Sequence, residues 1–140
     1  MHVLIVDDDE IFCRLMAEVL EAQGMEAVWT TDGLAGYDMS TQQVYDVFIV
    51  DVRMPLILGT DLAEALKKDH PRAKIILVSA FADPTLIRLA KRLDIPLLSK
   101  PFSTKHLLEA VKNVLDDSIK NVDSNSLGDH SSNPCRCKQI

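Results

Sequence analysis

Val3-Leu4-Ile5-Val6-Asp7-Asp8-Asp9-Glu10 decides the reading of this chain. Four branched apolar residues in a row suit a strand buried on both faces, and the acids that follow end it. The same grammar recurs. Val47-Phe48-Ile49-Val50 runs into Asp51, Ile75-Ile76-Leu77-Val78 into Ser79, and Leu97-Leu98 into Ser99-Lys100-Pro101. A shorter run, Ala27-Val28-Trp29, supplies one more strand. Between the runs the apolar period lengthens to that of a helix. Phe12, Leu15, Met16, Val19 and Leu20 repeat at i, i+3, i+4, i+7 and i+8, and Gly24 follows as a stop.

The remaining helices are bounded by turn and cap residues. Asp32-Gly33 opens a weaker one through about Gln43. Thr60 or Asp61 is expected to cap a helix over Leu62–Lys68, which stops before His70-Pro71. Pro84 begins one reaching Leu93, and Ser103 caps a last one carrying Leu107, Leu108, Val111 and Leu115. Strands alternating with helices predict an α/β, doubly wound three-layer sandwich around a five-stranded parallel sheet. Residues 1–117 form the expected domain. Residues 118–140 are polar and nearly free of apolar anchors, and are expected to be a disordered tail.

Bulk properties exclude several classes. At 140 residues the chain is one domain by length, and an apolar share of 47% is enough for a core on both sides of a sheet. A net charge of −6 offers no basic footprint for nucleic acid. No apolar stretch approaches the roughly 18 residues of a membrane span, and the N-terminus is unlike a signal peptide, so a cytoplasmic location is expected. Cys13 stands alone on a helix and reads as an inert thiol. Cys135-Arg136-Cys137 has no further soft ligand nearby, so no disulfide framework or metal knot is expected.

Open α/β sheets bind ligands beyond the carboxyl ends of their strands. Here those ends carry Asp7, Asp8, Asp51, Ser79 and Lys100. A strand-end aspartate can act as a nucleophile and form an aspartyl phosphate. A phosphoryl donor is anionic, and Mg²⁺ held by one or two carboxylates can bind its oxygens as well. Lys100 can hold a phosphoryl oxygen across the site, and the Ser79 hydroxyl can donate to another. Asp9 reads as a helix cap or a supporting residue. Other candidates keep plainer readings beside functional ones. Arg53 is either solvated or tunes dephosphorylation by filling the path of water. Phe81 either shields the site or packs on its loop. His106 reads as a surface residue. Arg88, Lys91 and Arg92 form a basic stretch that is a solvated face or part of a docking surface.

Val6-Asp7-Asp8, Asp51-Val52-Arg53-Met54-Pro55 with Gly59, Ser79-Ala80 and Lys100-Pro101-Phe102 together resemble the receiver domains of two-component response regulators. The resemblance spans about residues 1–117. It implies a flavodoxin-like fold with strand order 2-1-3-4-5. It implies that Asp51 accepts a phosphoryl group from a phosphohistidine on a histidine kinase or histidine phosphotransfer protein. Asp7, Asp8, Asp51 and the main-chain carbonyl of Arg53 would hold Mg²⁺ or Mn²⁺. Ser79 and Lys100 would be the switch hydroxyl and the phosphate-binding lysine, and a cis bond is expected before Pro101. The output would be an altered protein–protein contact, with a phosphorylation-dependent homodimer as one form. The chain would stand alone or belong to a longer regulator. No direct nucleic-acid binding and no catalysis beyond self-phosphorylation and self-dephosphorylation is expected.

Two departures from the family pattern stand out. Leu97 occupies the position, three before the lysine, where receivers usually carry an aromatic residue. Leu93-Asp94-Ile95-Pro96 replaces the usual pair of small residues. A leucine can change rotamer, but it presents neither a ring nor a tyrosine hydroxyl. Two other functions compete. A haloacid-dehalogenase-type phosphatase also uses a strand-end aspartate, but it wants a second aspartate two residues on, where this chain has Arg53. A degenerate receiver acting as a constitutive interaction module would have lost chemical positions that are intact here.

Overall fold

A computed structural model describes residues 1–127 of the chain, and the side chains of residues 1–116. Five strands and five helices alternate: β1 (His2–Val6), α1 (Glu10–Glu21), β2 (Glu26–Thr30), α2 (Gly33–Gln42), β3 (Val47–Asp51), α3 (Gly59–Asp69), β4 (Lys74–Ser79), α4 (Pro84–Leu93), β5 (Leu97–Ser99) and α5 (Thr104–Leu127). The strands form one parallel sheet in the order β2-β1-β3-β4-β5. This is the flavodoxin-like architecture, with the strand order the resemblance implied.

The two-sided apolar runs explain the three layers. Val3, Ile5, Val47, Ile49, Ile76 and Val78 point to one side, where they pack with Cys13, Met16, Ala17 and Leu20 of α1 and Leu107, Val111 and Val114 of α5. Their strand neighbours Leu4, Val6, Phe48, Val50, Ile75 and Leu77 face the other side, against Leu62, Ala63 and Leu66 of α3 and Ala90 of α4. Period-2 alternation with both faces apolar is what a covered parallel sheet demands.

The buried stripe of α1 keeps the expected Met16 and Leu20, with Phe12 and Val19 at its edge, but takes in Cys13 and Ala17 rather than Leu15. Cys13, Met16, Ala17 and Leu20 are buried, whereas Leu15 is 55% exposed. Small residues at 13 and 17 let the helix sit close on the sheet, and the larger Leu15 is left on the flank. Four helices carry side-chain caps. Asp9, Asp32, Asp83 and Ser103 accept from the main-chain N–H of Phe12, Leu34, Leu86 and His106 respectively. At α1, α4 and α5 the capping oxygen reaches the third residue on, so each satisfies one otherwise orphaned donor.

α3 has no side-chain cap and begins at Gly59, so neither Thr60 nor Asp61 caps it. Its start is fixed by close backbone packing instead. Gly59 N–H donates to Val52 O at 2.8 Å. A Cβ at position 59 would lie 1.9 Å from Asp51 O and 2.7 Å from Val52 Cα. Only glycine lets the helix pass this close to the end of β3. α5 also differs from expectation, since it runs to Leu127 rather than giving way to a tail at residue 118. In the sequence, Ile119 and Val122 prolong the spacing of Val111 and Leu115, and no glycine or proline interrupts residues 102–127. Residues 128–140, with Cys135 and Cys137, lie outside the described residues.

Two glycine replacements separate close approach from backbone strain. Gly24 has φ +85° but open space around its absent Cβ. Gly24→Ala should cost about 1 kcal/mol from its left-handed backbone alone. Gly59→Ala must push backbone against backbone and should cost about 3 kcal/mol or more. Urea melts of the two variants check this, and equal losses would remove the close-approach account of Gly59.

Candidate functional site

The site lies where β1, β3, β4 and β5 end. Asp7 follows β1, Asp51 and Ser79 are the last residues of β3 and β4, and Lys100 follows β5. Main-chain hydrogen bonds tie these ends together beyond the sheet: Asp7 N to Thr30 O, Val52 N to Val78 O at 2.9 Å, and Lys100 N to Ser79 O at 2.7 Å. The four chemical positions are therefore set by the register of the sheet rather than by mobile loops.

Carboxylate oxygens of Asp7, Asp8 and Asp51 lie within 4.8 Å of one another. Asp7 and Asp51 are buried and Asp8 is exposed. The Lys100 ammonium approaches Asp7 Oδ2 at 2.9 Å and Asp51 Oδ1 at 3.9 Å. Asp7 Oδ1 accepts from Asp9 N–H at 2.9 Å, while the buried Oδ2 has no polar partner apart from this ammonium. Three acids against one cation leave an excess of negative charge at a site open on the Asp8 side. An all-oxygen donor set of this kind suits a hard divalent cation.

Burial, followed by the neighbouring Asp7 charge, pushes the Asp51 carboxyl up to about 7. Burial likewise raises Asp7, against the opposing pull of the Asp9 N–H and Lys100. Burial acts to lower Lys100, but the hydrogen bond and charge of Asp7, with the charge of Asp51, outweigh it and leave the lysine raised. The lysine is thus firmly cationic, and positive charge approaching Asp51 favours its ionised form.

Ser79 is buried at the end of β4, and its hydroxyl is engaged with the next loop. It donates to Phe81 O at 2.8 Å and accepts Phe81 N–H at 3.0 Å. The Phe81 ring is 65% exposed, so it does not cover the site. Arg53 is exposed two residues beyond Asp51, and His106, Arg88, Lys91 and Arg92 are also exposed. The Lys100–Pro101 bond is cis. Leu97 is half-buried, pairs with Leu77 and packs with the cluster containing Ile95 and Ala90. A cavity of about 280 Å³ at the β5 edge has Leu97 in its lining but none of the site carboxylates. Cys13 is fully buried, with its Sγ 3.2 Å from Asp7 O, and burial pushes the thiol up to about 12, which makes it inert.

Two contributors were not legible as site residues. Phe12 was one apolar position among several, yet its ring lies 4.3 Å from Lys100 Nζ. Its place at the edge of the α1 stripe, in the turn after the acids, was the available signal. Gly59 stood in the family motif with no role attached, although it is the contact that sets the Asp51 backbone.

Residues 3–112 match the response regulator receiver domain. The chain belongs to that family. Among curated relatives, the polar-differentiation response regulators DivK of Brucella ovis and of Brucella melitensis are 31% identical over 120 residues, covering 82% of this chain and 96% of each relative. The CheY-like receiver domain protein of Methanospirillum hungatei superposes with a TM-score of 0.82 at 26% identity, over 86% of this chain and 97% of that one. The response regulator TrrA of Thermotoga maritima, solved in complex with Mg²⁺-BeF, has a TM-score of 0.72 at 30% identity, over 79% of this chain and 96% of that one.

The raised Asp51 carboxyl predicts a pH signature. Its folded value of about 7 lies above the ordinary carboxylate range. Its contribution to stability is therefore present at low pH and lost as pH rises through about 4 to 7. Asp51→Asn should be more stable than the wild type at pH 8 in metal-free buffer, and the difference should shrink towards pH 5. Urea midpoints across that range measure it, and a pH-independent difference would contradict the assignment.

Proposed function

We propose that this receiver takes a phosphoryl group from a phosphohistidine, on a histidine kinase or a histidine phosphotransfer protein, onto Asp51. The observation that carries the proposal is the carboxylate cluster of Asp7, Asp8 and Asp51 with the Lys100 ammonium reaching two of its members. An Asp51 oxygen attacks phosphorus. The P–N bond breaks with its electron pair left on the imidazole, and an O–P bond forms. Positioning and charge stabilisation do most of the work in such transfers. Asp7, Asp8, Asp51 and the Arg53 carbonyl would hold Mg²⁺ or Mn²⁺, which supplies positive charge for the incoming phosphoryl oxygens. Lys100 binds one phosphoryl oxygen, and its high basicity keeps the charge in place.

Ser79 connects the chemistry to a response. Its hydroxyl now holds both polar groups of the Phe81 main chain. Donation to a phosphoryl oxygen would take it from the Phe81 carbonyl and free the loop that leads into α4. The output is a changed protein contact, in which the exposed Phe81 and the basic Arg88, Lys91 and Arg92 of α4 are the nearest surface features. A phosphorylation-dependent homodimer is one form of that contact. The downstream target is a protein, with no direct role for nucleic acid. Among the described residues no helix is long and apolar enough to cross a membrane, and we place the chain in the cytoplasm. Residues 1–117 are taken as the functional unit.

Incubation with a small labelled phosphodonor and Mg²⁺ tests the proposal. The wild type should take up about one phosphoryl group, EDTA should prevent it, and Asp51→Asn should take up none. Label on Asp51→Asn at the wild-type level would overturn the assignment. Continuous donor turnover would indicate a phosphatase, and no uptake a degenerate module. Ser79→Ala should still be labelled, about tenfold more slowly for the lost hydrogen bond. It should not show the wild type's phosphodonor-dependent change in the amide NMR signal of Phe81. Wild-type behaviour of that signal in Ser79→Ala would remove Ser79 from the switch.

A further inference from the structure

We infer that Phe12 is a positioning residue for this chemistry, its ring holding the Lys100 ammonium between Asp7 and Asp51. The kinetic consequence rests on the phosphoacceptor reading above, whereas the contact between ring and ammonium stands on geometry alone. Lys100 Nζ lies 4.3 Å from the ring centroid, well inside the range in which a cation is attracted to an aromatic face. The same nitrogen is 2.9 Å from Asp7 Oδ2 and 3.9 Å from Asp51 Oδ1. The lysine side chain is 19% exposed, so the contact is largely withdrawn from water.

The ring is itself fixed. Phe102, two residues beyond the lysine, meets it edge to face at 5.3 Å and 76°. Phe12 N–H donates to Asp9 Oδ1 at 3.1 Å, and Asp9 N–H donates to Asp7 Oδ1 at 2.9 Å. Two hydrogen bonds thus run from the buried carboxylate, through the helix cap, to the residue under the ammonium. The cap of α1 and the cation of the site form one assembly.

An ammonium on a four-carbon stem has many conformations, and carboxylates attract it from any direction. Both carboxylates also change during phosphoryl transfer. Asp51 gives up its carboxylate charge for that of the phosphoryl oxygens when it becomes an acyl phosphate, and Asp7 must serve a divalent cation. The ring is neutral and keeps its quadrupole throughout. It is therefore the contact that can hold Nζ at the mouth of the site while its charged neighbours are altered.

Two readouts test this. In the unphosphorylated wild type, the Lys100 ε-methylene protons should be shifted upfield by the ring current. The shift should vanish in Phe12→Leu and persist in Phe12→Tyr. With a small phosphodonor and saturating Mg²⁺, Phe12→Leu should take up label about fivefold more slowly, and Phe12→Tyr within about twofold of wild type. Progressive ring fluorination at position 12, which keeps the shape and drains the face of negative charge, should give a graded decline. In a Lys100→Gln background Phe12→Leu should change nothing further. A wild-type rate in Phe12→Leu, an ungraded fluorination series, or an equal loss in the Lys100→Gln background would overturn the positioning role. A wild-type spectrum without the upfield shift would overturn the contact. A wild type that takes no label would overturn the phosphoacceptor reading and the kinetic role with it, leaving the shift to decide the contact.

Discussion

Two buried carboxylates share one lysine at the end of the sheet, and the rest of the structure serves to keep them there. Unit charges about 4 Å apart repel by about 4 kcal/mol where the effective dielectric constant is near 20. Asp7 and Asp51 sit in such a setting, and Lys100 offsets the repulsion for both at once. Removing the lysine would leave two uncompensated acids. Removing one acid would relieve the other, which is why burial and the Asp7 charge together raise the Asp51 carboxyl. The unliganded site is held under electrostatic stress that incoming positive charge relieves. That stress favours the approach of a cation to the oxygen-rich cluster.

Holding like charges together requires a scaffold that does not yield. The central strands β1, β3 and β4 supply it, with side chains packed on both faces and main-chain bonds that continue past the strand ends. Gly59 brings α3 against the Asp51 backbone, so Asp51 cannot retreat along its own loop. The contacts of Ser79 are of another kind. Its hydroxyl satisfies a loop rather than the core, and a hydroxyl can exchange one acceptor for another at small net cost. The fold thus combines a rigid acidic floor with one exchangeable hydrogen bond beside it.

The strands and the polar residues at their ends were legible because each rests on a local pattern, whereas the strand order came with the family resemblance. Val3–Val6 and Val47–Val50 carry runs that only a covered sheet can bury, and the acid or hydroxyl that ends each run marks the same edge. Helix starts were legible where a cap residue makes them, as at Asp32 and Ser103. They were not legible at α3, whose start depends on backbone contact between segments distant in sequence. The stripe of α1 was legible at Met16 and Leu20 but not at Cys13 and Ala17, which are weak signals of burial although small residues are what a close helix–sheet contact needs. Phe12 was hidden for a related reason. Its partner Lys100 is far away in sequence, and no helical period announces a ring that serves a cation.

Leu97 shows how a departure from the family pattern limits what the site can transmit. It pairs with Leu77 in the sheet and packs among Ile95 and Ala90, and it also borders the cavity at the β5 edge. A leucine offers volume and nothing else: no hydroxyl to re-bond and no ring to stack. Any response that reaches β5 from Ser79 must therefore travel through packing and through the main-chain bond from Lys100 N to Ser79 O. That bond joins the hydroxyl-bearing residue to the lysine directly, while Leu97 is reached through its pairing with Leu77. In this chain the proposed phosphoryl-binding pair, Ser79 and Lys100, is joined by a main-chain bond that continues the β4–β5 ladder.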